Sequence, residues 1–326
     1  MIKKIMQRKI IWVLIFIFAF IYLNNNSYFA RQDTGKPLLV AHRGVHQTFS
    51  MEGIKWDTNT AQRINEPEHF YLENTISSME KAFQVGADLV EFDIQLTKDN
   101  QFAVFHDRLL EYRTNGKGTI REYTMEELKR FDIGYGYTAD QGKTFPFRGQ
   151  GVGMMPSMDE VFASFPDRSF LIHIKSNGQK EGEVLAQYLN NLPEERLSQL
   201  TLYGGDEPIA ILQEKLPNLR AMSMATMKKA LLPYLALGWT GYVPKAMRNA
   251  HFHLPLKYAR YLWGWPYRFI RRMRKVNSQF ILVLGEGKWS EGFDTVEDLK
   301  QLPSNYTGGI WTNRIERIAP AFGNLK

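Results

Sequence analysis

From Leu38 to the C-terminus, short apolar runs and amphipathic stretches alternate along the chain. The runs at 37–43 (PLLVAHR), 89–96 (LVEFDIQL), 102–107 (FAVFHD), 169–175 (SFLIHIK), 200–204 (LTLYG), 220–225 (RAMSMA), 241–246 (GYVPKA), 280–287 (FILVLGEG) and 308–313 (GGIWTN) predict strands. Helical patterns fall between most of them. Asn74 or Thr75 can cap a helix ending near Gly86, with Ile76, Met79 and Phe83 on one face. Thr124 with Glu127, and Ser157 with Glu160, are capping-box pairs that open two more. Such alternation argues for parallel strands joined by helical crossovers. Runs 89–96 and 102–107 are too close for a crossover and predict a hairpin turning near Lys98-Asp99-Asn100. No internal repeat or low-complexity segment interrupts the pattern.

Two strands carry polar residues where apolar ones are expected. Glu91 and Asp93 sit two positions apart inside LVEFDIQL, so both carboxylates point to the same side. Like charges held together on an apolar element repel each other and resist desolvation. A divalent cation would relieve the repulsion. A solvated edge strand, or a salt bridge to Arg or Lys, would also do so. His173 and Lys175 likewise share one face of FLIHIK. Polar residues near the ends of barrel strands are where such folds do chemistry.

The chain has 326 residues, a net charge of +7 and no cysteine. Disulfides, thiolate metal sites and cysteine nucleophiles are therefore excluded. Lys3, Lys4, Arg8 and Lys9 precede an apolar run from Ile10 to Leu23. As a helix the run is about 21 Å long, short of the ~30 Å hydrocarbon core and suited to a signal h-region. Tyr28 stands where a cleavage site wants a small residue, so we expect an uncleaved signal anchor over residues 1–29. Residues 30–326 would then form one domain outside the cytoplasm, on the periplasmic side in a bacterium. The polar stretch 24–36 reads as a linker.

His42 and Arg43 end one apolar run, and His106 ends another. The planar guanidinium suits an anionic oxygen, and two histidines can supply a general base and a general acid. With a carboxylate pair they point to attack on a phosphate ester. AHRG at 41–44, ENT at 73–75, EFDIQLTKDNQFAVFHD at 91–107 and PSMDEV at 156–161 together resemble the glycerophosphodiester phosphodiesterase family. The resemblance implies an α/β fold, a TIM-type barrel, with a small insertion after the HD motif at about 108–153. It implies divalent-metal-dependent hydrolysis of a glycerophosphodiester to an alcohol and a phosphomonoester. His42 and His106 would be the acid/base pair, and Arg43 and Lys175 would bind the substrate phosphate. Glu91 and Asp93 would hold the metal, with Glu73 in or near its shell.

The sequence departs from the family pattern in two places. His173 occupies the position of a glutamate ligand in the family's IEIK strand. As a ligand, a neutral imidazole would shift preference from the family's Mg²⁺ or Ca²⁺ toward Mn²⁺ or Zn²⁺. The interval from His42 to Glu73 is also enlarged, and its His46 and His69 read as loop residues rather than ligands.

Residues 245–275 carry nine Lys/Arg and no acid, interleaved with Tyr258, Tyr261, Trp263, Trp265, Tyr267 and Phe269. This composition suits an anionic membrane surface. Nucleic acid is the competing partner, and the N-terminal anchor decides for the membrane. The segment would form a lip beside the site that admits a lysophospholipid, and the chain resembles the membrane-anchored, lysophospholipase D-like branch of the family. The alternative is a lipid-binding protein on the same fold, its metal site decayed at His173.

Overall fold

The computed structural model describes residues 2–30, 35–55, 57–287 and 291–323. Nine strands form within it: β1 (Leu38–His42), β2 (Leu89–Leu96), β3 (Phe102–Val104), β4 (Phe170–Ile174), β5 (Leu200–Gly204), β6 (Arg220–Met222), β7 (His251–Pro255), β8 (Gln279–Val283) and β9 (Gly309–Thr312). β3 is the return of the expected hairpin and pairs antiparallel with β2. The other eight are parallel, in the order β6-β5-β4-β2-β1-β9-β8-β7. A single parallel bridge between Ala221 and Ala250 joins the two ends, so the sheet is a nearly closed TIM-type barrel.

Local chemistry sets the helix ends. Thr75 caps helix Ile76–Val85 through the amide of Ser78, and Gly86 ends it at φ +117°, a conformation that side chains with a Cβ disfavour. The capping boxes expected at Thr124/Glu127 and Ser157/Glu160 both form.

One expected strand is displaced. Residues 241–246 do not pair; Gly241 takes φ +89° and Pro244 opens a turn. The sixth strand of the barrel is instead β7, inside the segment read as a basic lip. Its sequence HFHLP alternates with its histidines toward the barrel interior, so polar residues disguised an inward-facing strand.

Alternation along the strands separates two apolar layers. Val90, Phe92, Ile94, Phe170 and Ile172 face outward and join Met79, Phe83, Val161 and Leu185 of the helices in the main core. Val40, Leu89, Leu171, Ile281, Val283 and Trp311 face inward as a separate cluster. Burying each such side chain contributes roughly 1.5–3 kcal/mol. The insertion 108–153 has its own small core, in which Leu110, Ile120, Leu128 and Phe147 meet Ala61, Ile64 and Leu72 of the enlarged interval after His42.

At the other end of the chain, helix Ile2–Asn25 projects from the barrel with its apolar residues exposed. From Lys4 to Asn25 it is long and apolar enough to cross a membrane. Of the expected linker 24–36, residues 31–34 lie outside the described residues. The part before them is docked rather than loose. Asn25 Nδ2 donates to Trp239 O at 2.7 Å, Ser27 Oγ to Gly264 O at 2.9 Å, and Arg268 Nε to Asn26 O at 2.9 Å.

Candidate active site

The register of the barrel builds the site. His42 pairs with Glu91 across β1 and β2, and Asp93 with His173 across β2 and β4. Side chains on one face of neighbouring strands therefore form a ring above the inner apolar cluster. Glu91 and Asp93 are completely buried in that ring. The ring underlies a cavity of about 1120 Å³, whose lining includes His42, Arg43, His106, His173, Lys175 and Tyr203.

Each carboxylate has specific partners. Glu91 accepts from the Tyr203 hydroxyl at 2.6 Å and the Arg43 amide at 3.2 Å. Burial, and then the charge of Asp93, pushes its carboxyl above the ordinary range. Asp93 lies 2.8 Å from His173 Nδ1, 3.2 Å from Arg43 Nε and 3.7 Å from Lys175 Nζ. It also accepts from Asn74 Nδ2 at 3.0 Å. Burial opposes its charge, but His106, Lys175 and Arg43 outweigh it and hold Asp93 ionised. Glu91, Asp93 and His173 can each offer one ligand atom, all within 4.8 Å of one another. Two carboxylates and an imidazole in that compass fit a divalent cation. Burial, and then Lys175, lowers His173 to about 4, so the imidazole is neutral at physiological pH, as a ligand must be.

Glu73 is not one of this trio but shares Arg43 with Asp93. Its two oxygens meet Arg43 at 2.9 Å and Arg113 at 3.2 Å. Arg113, from the insertion, also contacts Asp107 at 2.5 Å. A buried ionic chain thus runs His106–Asp107–Arg113–Glu73–Arg43–Asp93. Burial opposes the charge on Glu73, and Arg113 and Arg43 overcome it and lower the carboxyl.

The two expected acid/base histidines are backed differently. His106 Nδ1 lies 2.8 Å from the Asp107 carboxylate. His42 Nδ1 lies 2.5 Å from Asn313 Oδ1. The amide of Asn313 is oriented by donating to Asp294 at 2.8 Å, so its oxygen faces the ring. His42 must then carry its proton on Nδ1. Its bare Nε2 lies 3.9 Å from Glu91. Burial, and then the charge of Arg43, keeps the ring neutral.

His46, expected as a loop residue, is in a loop but buried, with its ring edge-on to His42 at 5.6 Å. His69 is also a loop residue, accepting from Gln47 and from the Tyr71 amide. Asn74 is legible in the sequence only as a possible helix cap, and Asp107, Arg113, Tyr203, Asp294 and Asn313 are not singled out there. Asn74 and Asp107 lie inside the quoted motifs, which was the available signal; nothing local marks the others.

The sequence profile of the Glycerophosphoryl diester phosphodiesterase family matches residues 42–251. A glycerophosphodiester phosphodiesterase of Caldanaerobacter subterraneus is 31% identical over 166 residues, covering 51% of this chain and 60% of that protein. A lysophospholipase D of Rattus norvegicus is 26% identical over 194 residues, covering 57% of each. The chain thus spans less than two thirds of either relative's length. Among solved structures, the glycerophosphoryl diester phosphodiesterase domain of an uncharacterized Mycobacterium tuberculosis protein superposes with a TM-score of 0.62 at 14% identity. The match covers 88% of this chain and 99% of that domain. At that identity the superposition speaks for the fold alone.

Proposed function

The chain belongs to the glycerophosphoryl diester phosphodiesterase family, and from that premise we propose that it is a membrane-anchored, metal-dependent phosphodiesterase. Its substrates are glycerophosphodiesters or lysophospholipids, cleaved to an alcohol and a phosphomonoester. The single observation that carries the reading is the fully buried Glu91–Asp93 pair, grouped with neutral His173 beneath a cavity lined by His42 and His106. Glu91, Asp93 and His173 would hold the metal, which when bound supplies positive charge to the phosphoryl oxygens. Glu73, in or near the metal's shell, also joins the ionic chain that fixes Arg43. Arg43 and Lys175 orient the phosphate. His42, backed by a neutral amide, accepts the proton of the attacking hydroxyl at Nε2. His106, backed by a carboxylate that stabilises its imidazolium, returns a proton to the departing alkoxide. General acid–base help of this kind contributes about 10²–10⁴-fold.

Residues 1–29 form the anchor, and residues 30–326 form the catalytic domain on the extracytoplasmic side. Length and hydropathy of Lys4–Asn25 support the anchor, and the basic flank supports the orientation. The alternative of a decayed lipid-binding protein is not favoured. His173 sits in the donor group rather than disrupting it, and both histidines are backed by oriented partners.

The test is release of choline from glycerophosphocholine and lysophosphatidylcholine by the full chain in detergent, with Mg²⁺, Ca²⁺, Mn²⁺ or Zn²⁺ added after chelation. Turnover that needs an added metal, and disappears in folded His42→Ala and His106→Ala, is expected. No release with any metal would reject the reading, and near-normal activity of either histidine variant would reject the acid/base assignment.

A further inference from the structure

Helix Met224–Leu237 is apolar on both sides. Its inner face buries Ala230 and Tyr234, and Met227 and Leu231 pack against the core. Its outer face carries Met224, Leu232, Leu235 and Leu237, which are 57%, 63%, 43% and 47% exposed. Lys228 and Lys229 share that face. The outer helices of a barrel in water ordinarily present mostly polar residues there; four exposed large apolar side chains beside two lysines suit an interface with an apolar medium.

The surroundings identify that medium. Thirteen Lys/Arg and no acidic residue lie between Glu214 and Glu286. Tyr242 and Tyr261, 53% and 73% exposed, belong to the same stretch. The C-terminal end of the helix is where the membrane-length helix is fastened. Asn24 Nδ2 donates to Trp239 O at 3.0 Å, and Arg272 donates to Asn24 O at 3.0 Å and to Tyr234 Oη at 2.9 Å. At the other end, Met224 and Met227 line the active-site cavity together with Tyr258. An apolar, cationic strip therefore runs from the tether to the mouth of the site.

We propose that this strip is a bilayer-docking surface, on which Leu232, Leu235, Leu237, Tyr242 and Tyr261 enter the headgroup–acyl boundary of an anionic leaflet. The neighbouring Lys and Arg meet lipid phosphates, and the cavity mouth opens along the membrane plane. A single-chain phosphodiester lipid then reaches the site from the bilayer rather than from water. The inference rests on the reading that Lys4–Asn25 spans the membrane.

Because the full chain has no cysteine, Leu232→Cys can carry a unique polarity-sensitive fluorophore. Glu126→Cys, on an exposed residue of the insertion, is the control. In vesicles of phosphatidylcholine and phosphatidylglycerol, the label at 232 should shift to the blue and be quenched by a bilayer-embedded quencher, while the label at 126 should not. The double variant Leu232→Glu/Leu235→Glu should lose ~10-fold or more of its turnover of vesicle-embedded lysophosphatidylcholine, as expected when apolar contact with the interface is removed. Its hydrolysis of water-dissolved glycerophosphocholine should be unchanged. A chain that fails to float with the vesicles overturns both the anchor and the docking surface. A chain that floats with an aqueous label at 232 overturns the docking surface alone. Disulfide crosslinking between Leu232→Cys chains, with the label shut off from the quencher, assigns the face to a second copy and also overturns it.

Discussion

The backing of His42 by Asn313 is a constraint that one atom can test. Asn313→Ala leaves Nδ1 without its acceptor, so the ring is no longer held with Nε2 bare. We predict a fall in kcat of roughly 10²-fold with little change in KM, measured by steady-state kinetics. Arg113 makes a different kind of contribution. Arg113→Met leaves Glu73 and Asp107 buried beside one fewer cation and should destabilise the protein by about 3–5 kcal/mol in urea denaturation at pH 7. The pH dependence has a definite sign. Burial resists the charge on Glu73 and Asp107, but Arg113 dominates and holds both carboxyls below their ordinary values. Their stabilisation is therefore complete above the unfolded value, about 4, and is lost as pH falls through the lower folded values. The stability gap between the wild-type protein and Arg113→Met should narrow on acidification; a constant gap would show that those charges do not carry it. His42, Arg43, Glu91, Asp93 and His106 could be nominated from local sequence because each is an odd residue at the end of, or inside, an apolar run. Asn313 could not, since it lies 271 positions from the histidine it serves and just follows an unremarkable strand.

At the scale of elements, the legible pieces were those with a local cause. The run 89–96 matches β2 end to end, and helix Ile76–Val85 lies between its expected cap and its glycine stop. β7 was hidden because His251 and His253 point into the barrel, where their rings lie 2.9 Å apart between Nε2 atoms. Periodicity reads a face as polar or apolar, and cannot tell solvent from a polar lumen. Close packing between elements gives its own prediction. Gly44, just after β1, has φ +79°, and a Cβ there would stand 2.5 Å from Ser78 Oγ on helix Ile76–Val85. Gly44→Ala should cost about 1–3 kcal/mol from backbone strain alone, with a further loss of activity as Arg43 shifts. Thermal melts and kinetics on the same preparation would check both.

For the whole molecule, the alternation of runs pointed to parallel strands with helical crossovers and the family resemblance implied the barrel, while its closure depended on a strand in an unexpected place. The small insertion expected after the HD motif sends Arg113 into the ionic chain that positions Arg43. Metal choice also belongs to this scale, because the donor trio draws on two strands. His173→Glu would add a negative charge to that group, and calorimetric titration should show tighter Ca²⁺ or Mg²⁺ binding relative to Mn²⁺ or Zn²⁺. An unchanged order would remove His173 from the metal shell.

Residues 25–27, at the barrel end of helix Ile2–Asn25, are hydrogen-bonded to Trp239, Gly264 and Arg268. With that helix in a bilayer, these contacts hold the barrel against its base, and substrate encounter becomes a two-dimensional search. The quantity that sets the rate is then the mole fraction of substrate among the surrounding lipids, not its amount per volume. Diluting the substrate with inert lipid at fixed total amount should slow turnover in proportion.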